Sequence, residues 1–194
     1  MSERTPSQTV GPFLHIGLAP ADYNFRVLFG SSLAGPGVAG VPIEIEGAIR
    51  DGEGNALPDA LVEIWQADSD GRYPHPADGR PVRSNSFRGF GRAATDAAGQ
   101  FHFATVKPGA VPAPGGGLQA PHINVGIFAR GLLKRLFTRI YFAGEALNAG
   151  DPILALVPED RRHTLMAQPD TTHPGRFRFD IRLQGADETV FFDA

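Results

Sequence analysis

Apolar and polar positions alternate most regularly between Gln119 and Arg130, where Ile123, Val125 and Ile127 repeat with period two. Gly117 closes a Gly/Pro run, and Pro121 keeps the residue before it out of helical geometry. The spacing predicts a strand with one apolar face. Its other face carries His122, Asn124, Phe128 and, if the strand runs on, Arg130. The same period predicts strands over 42–49, 61–67, 101–106 and 136–142, the last with Leu136, Thr138, Ile140 and Phe142 on one side. In the 61–67 strand Val62 and Ile64 fill one face; Glu63 and Trp65 share the other, and Trp65 is expected in the core as well. Residues 176–183 alternate strictly and turn Phe177, Phe179, Ile181 and Leu183 inward, and 189–192 reads as a last short strand.

Turn chemistry divides these runs. Asp51-Gly-Glu-Gly-Asn55 follows the first strand, and Asp96-Ala-Ala-Gly-Gln100 reads as a hairpin turn between 93–95 and 101–106. Residues 31–41 and 72–88 read as loops, and 21–29 as a turn or two of helix. Residues 145–168 look locally helical, with Pro152 and Pro158 as early helix residues. About eight short strands with long loops predict an all-β fold, a β-sandwich. The pattern Asp51-x-x-Gly-Asn-x-x-Pro-Asp, then Thr95-Asp-x-x-Gly-Gln-Phe-x-Phe to Pro108-Gly109, is the turn grammar of prealbumin-like sandwiches. Carriers, adhesion repeats and enzymes all use it. Residues 1–15 are extended and Pro-punctuated, without periodicity over 5–12, and cannot bury themselves, so they are disordered or lie against something else.

Composition narrows the function. The 194 residues suit one domain, 1–194, with a sizeable core. A net charge of −3 without a Lys/Arg cluster gives no footing for nucleic acid or an anionic membrane. The absence of cysteine excludes disulfides and thiolate chemistry. No run is long and apolar enough for a span, and residues 1–6 lack a signal-type apolar stretch, so a cytoplasmic location is expected. Gly and Pro, 24 and 17 residues, agree with many turns.

The chemistry is thinly populated. Histidines at spacing two on a strand can share a metal, but the partner position of His122 is Asn124, whose amide binds metals poorly. His122 is therefore either a hydrogen-bonded structural residue or a ligand. Tyr73, in a loop after the Asp70-Gly71 turn, is either a surface residue or a phenolate ligand. His75, His102, His163 and His173 read as structural or solvated. No phosphate loop, nucleophile elbow or carboxylate pair stands out.

Longer motifs carry a family resemblance. Leu61-Val-Glu-Ile-Trp-Gln-Ala-Asp-Ser-Asp-Gly-Arg-Tyr73, Phe90-Gly-Arg-Ala-Ala-Thr-Asp-Ala-Ala-Gly99, Val106-Lys-Pro-Gly109 and Pro121-His-Ile-Asn-Val125 resemble the intradiol ring-cleaving dioxygenases. The likeness extends through 5–18, 128–131, 138–142 and 177–193. It implies insertion of O₂ between the hydroxylated carbons of a catechol such as protocatechuate, using a non-haem Fe(III) held by two tyrosines and two histidines. Those positions fall on Tyr73, Val111, His122 and Asn124, so two donors are missing and the site is expected to be vestigial. The resemblance implies that iron sits instead in a homologous beta subunit of a hetero-oligomer. It places Thr9, Gly11, Pro12 and Arg130 at the mouth of that partner's substrate pocket, with residues 1–18 as the arm. Eight strand residues span about 26 Å, so His122 and Arg130 serve different pockets. Two other readings are a non-enzymatic binding or scaffold module, and a self-sufficient metalloenzyme using Tyr73, His122 and His75.

Overall fold

The computed structural model describes residue 11 and residues 17–80 and 86–193, except for the side chains of 21 and 22. The described residues form eleven strands: β1 Pro42–Arg50, β2 Leu61–Gln66, β3 Phe90–Ala94, β4 Gln100–Val106, β5 Val111–Pro112, β6 Leu118–Gln119, β7 His122–Phe128, β8 Leu136–Phe142, β9 Met166–Pro169, β10 Arg176–Arg178 and β11 Ile181–Arg182. Nine belong to one continuous sheet that runs β4–β1–β10–β9–β8–β7–β2–β3, with β11 also beside β1; β5 and β6 form a separate pair. The two ends of this path, β4 and β3, are neighbours in the chain. The sheet therefore bends round until it is nearly closed.

Period-two alternation works as the sequence predicts, because one face of every long strand meets a common interior. Ile45 and Ile49 of β1, Val62 and Ile64 of β2, Phe103 of β4, Ile123, Val125 and Ile127 of β7 and Ile140 and Phe142 of β8 are all buried in one cluster. Phe179 and Ile181 join it, with Phe177 and Leu183 packed on its rim. A smaller cluster of Ala120, Tyr141, Leu154, Val157 and Leu165 lies elsewhere. It holds part of the segment after β8.

Five local expectations need correction. The Asp96–Gln100 turn is not a hairpin turn, since β3 pairs with β2 and β4 with β1. The Asp96 carboxylate accepts from the amides of Ala98 and Gln100, and a side chain at Gly99 would meet Ile49 O at 2.8 Å. The turn is pressed against β1 and passes the chain from one end of the sheet to the other. Residues 176–183 break into β10 and β11 because Phe179 O would lie 1.8 Å from a Cβ at Gly47, while Asp180 Oδ1 takes the Ala48 amide. Residues 145–168 form short 3₁₀ helices at Ala146–Gly150, Leu154–Leu156 and Glu159–Leu165, with Pro158 as a cap, and then enter β9. Residues 189–192 form no strand; Phe192 makes an isolated bridge to Phe137. In the 21–29 stretch only a short 3₁₀ turn, Pro20–Tyr23, is helical.

Candidate functional site

The site begins with two loops held together by their main chains. After β2, Asp68 Oδ1 accepts from the amides of Asp70 and Arg72, and Gly71 takes φ +74°. A side chain at Gly71 would lie 1.8 Å from Ala110 O, and one at Gly109 would lie 2.5 Å from Ser69 O. The Gly109 amide also donates to Asp68 O at 2.8 Å. Only glycines allow so close an approach. The Asp-x-Asp-Gly-Arg-Tyr and Lys-Pro-Gly motifs are thus two halves of one clasp. It sets Tyr73 on one side and Val111, at the start of β5, on the other.

Tyr73 is then fixed from several directions. Its amide donates to Asp78 Oδ2 at 2.8 Å, and its ring stacks on Trp65 at 5.6 Å between centroids and 19° between planes. The neighbouring Arg80 guanidinium holds the Asp78 carboxyl down to about 2. Trp65 is half-buried beneath that ring and so lies outside the main core.

β7 supplies the other groups. His122 is buried, and its Nδ1 sits 2.7 Å from Ala120 O. A carbonyl only accepts, so Nδ1 carries the proton and Nε2 is the acceptor. Tyr73 OH faces that Nε2 at 3.5 Å, and Asn124 Nδ2 donates to the Tyr73 oxygen at 3.3 Å. Burial lowers the His122 pKa to about 4, with the Arg139 cation acting in the same direction. Burial raises the Tyr73 pKa. Both groups are therefore neutral near pH 7, a phenol beside an imidazole.

The structure brings Tyr73, His122 and Asn124 together. Val111 is buried on β5, where it pairs with Gln119. Ferric iron calls for anionic or imidazole donors, whereas these four positions offer one phenol, one imidazole, one amide and one hydrocarbon. The set does not fit the ion. His75 adds nothing, because its Nδ1 accepts from the Ala77 amide at 3.1 Å and caps a short 3₁₀ turn. Glu44, Glu46 and His102 cluster on an exposed face, but Arg176 already pairs with both glutamates.

Arg130 stands beyond the far end of β7, on the surface, in an ion pair with Asp59 at 3.0 Å. It lies away from Tyr73 and His122, as the strand length requires. Gly11 is exposed; Thr9 and Pro12 lie outside the described residues. Glu63, on the outer face of β2, pairs with Arg92 at 2.5 Å and Arg135 at 3.5 Å. Sequence reasoning missed Arg139, Gln119 and Asp151. Arg139 alternates against the apolar face of β8, which marks it as outward, but its place beside Asn124 depends on strand register.

A family model described as dioxygenase matches residues 34–185. The chain belongs to the intradiol dioxygenase family. It is 46% identical over 199 residues, 98% of either sequence, to the protocatechuate 3,4-dioxygenase alpha chain of Burkholderia cepacia. The beta chain from the same organism is 39% identical over 159 residues, covering 77% of this chain and 67% of that one. Among solved structures, the dioxygenase domain of a carbohydrate-binding fusion from Streptomyces sp. SirexAA-E superposes with a TM-score of 0.61 at 26% identity, over 95% of this chain and all of that one.

Proposed function

We propose that this chain is the iron-free alpha subunit of an enzyme that cleaves protocatechuate with O₂ to 3-carboxy-cis,cis-muconate. Fe(III) belongs to a homologous beta subunit and supplies the activation of the bound catechol. The carrying observation is the donor set. Tyr73 and His122 meet as a neutral phenol and imidazole, with Asn124 and Val111 in the two remaining positions.

This chain's share is shape and charge. Arg130 presents a guanidinium whose exposed pair with Asp59 is weak enough to exchange for a substrate carboxylate. Thr9, Gly11 and Pro12, on the 1–18 arm, complete the mouth of the partner's pocket. The nearly closed sheet is a prealbumin-like sandwich in this reading, and the assembly works in the cytoplasm. A scaffold without enzymatic partners would explain the missing donors, but not a match of this length to dioxygenase chains.

Copurification with the iron-bearing homologue tests the proposal. One iron per αβ pair is expected, with no stoichiometric iron and no ring cleavage in the isolated chain. A burgundy tyrosinate-to-iron band in the isolated chain would overturn it.

A further inference from the structure

A fixed cation already stands beside the group formed by Tyr73, His122 and Asn124. Arg139 on β8 is paired directly with Asn124 of β7. Directly paired residues project from the same face of a sheet, so the guanidinium and the amide rise side by side. Arg139 Nη1 donates to Gln119 Oε1 at 2.8 Å and to Tyr141 OH at 3.4 Å. Tyr141 OH donates in turn to Asp151 Oδ1 at 3.0 Å. Asp151 is buried and accepts from the amides of Ala120, Ile153 and Leu154 at 2.7, 2.9 and 2.7 Å. The guanidinium is therefore anchored, through two side chains, in the protein's own main chain. Its field reaches His122, Tyr73 and Tyr141 alike.

We propose that Arg139 is a built-in cation that excludes metal from this site, so that restoring the donors at 111 and 124 does not restore metal binding while Arg139 remains. The inference rests on the reading of this chain as the iron-free subunit. A guanidinium cannot shed its proton to make room for a metal. Repulsion between it and a multivalent ion is screened far less in a half-buried pocket than in bulk water. Gln119 and Tyr141, which hold the guanidinium, are at the same time withdrawn from service to any incoming ion.

The test uses the full chain coexpressed with its iron-bearing homologue, with iron counted per αβ pair by elemental analysis. Wild type is expected to hold one iron per pair, and Val111→Tyr/Asn124→His is expected to stay at one. Adding Arg139→Gln should move the count toward two, with added tyrosinate-to-iron absorption. Because Val111→Tyr enlarges a buried side chain, a smaller series runs beside it. Asn124→His with and without Arg139→Gln is titrated with Co(II), and removal of the cation should tighten binding on the order of 10–100-fold. A second iron in the Val111→Tyr/Asn124→His complex, or unchanged Co(II) affinity on removing Arg139, would overturn the proposal. Two irons per wild-type pair would instead overturn the functional reading on which it rests.

Discussion

Acidification should unfold this protein through His122. In the unfolded chain the imidazole titrates near 6.5; in the fold, burial and the neighbouring Arg139 hold it at about 4. Between those values the unfolded state binds the extra proton and the folded state does not. Stability is therefore complete above the unfolded pKa and is lost as pH falls from 6.5 toward 4. At about 1.4 kcal/mol per unit, the gap amounts to roughly 3 kcal/mol, a large part of the 5–15 kcal/mol typical of a domain. A proton on Nε2 would remove the acceptor facing Tyr73 OH and place a second cation beside Arg139. Asp78 and Asp170, whose carboxyls are held at about 2, lose their contributions only below the ordinary carboxylate value of 3.8, so pH 4.5–7 isolates the histidine. Unfolding free energies of the full chain from urea titrations across that range should fall with a limiting slope of about 1.4 kcal/mol per pH unit. His122→Gln should flatten the slope. Equal slopes in the two proteins would refute the argument.

Arg130→Ala in the reconstituted complex should raise KM for protocatechuate about tenfold or more by removing a charge-assisted contact of roughly 1.5–3 kcal/mol. Iron content should hold and unsubstituted catechol should be much less affected; equal losses for both substrates would make Arg130 an interface residue instead. Asn124→His alone should restore no ring cleavage in the isolated chain, and cleavage there would show that the tyrosine missing at 111 matters little. Gly71→Ala should lower stability by at least about 2 kcal/mol in thermal unfolding, since it combines a positive φ with a clash on Ala110 O. Asp151→Asn should cost at least about 2 kcal/mol by the same assay, because four donors converge on that carboxylate.

What the sequence could show was set by the range of the interaction. Alternation along β7, β8 and β2 found Ile123, Val125, Ile127, Ile140, Phe142, Val62 and Ile64 of the main cluster, since facing inward is decided strand by strand, but it also put Trp65 in the core, where it does not lie. Pairing was not legible: the Asp96–Gln100 turn has hairpin chemistry yet joins strands that never bond each other. The break at Phe179 and Asp180 was equally hidden, because its cause is the missing side chain of Gly47, more than a hundred residues earlier. In the site, Tyr73, His122 and Asn124 were marked by motif, and two of them lie on or beside strands whose faces could be counted. Arg139 was not marked. Its importance lies in the register of β8 against β7 and in a hydrogen-bond chain ending at Asp151, neither of which leaves a local trace.

The clasp of Gly71 and Gly109 bears on how such a subunit can arise. In many metal sites the ion ties loops together, so the loss of a ligand loosens the fold and is selected against. Here main-chain atoms join the Tyr73 loop to the Val111 loop. A lineage carrying this clasp can exchange a donor for a hydrocarbon at 111 and still deliver a folded chain. On the proposed reading, the donors of such a site can be exchanged one substitution at a time without passing through an unfolded chain.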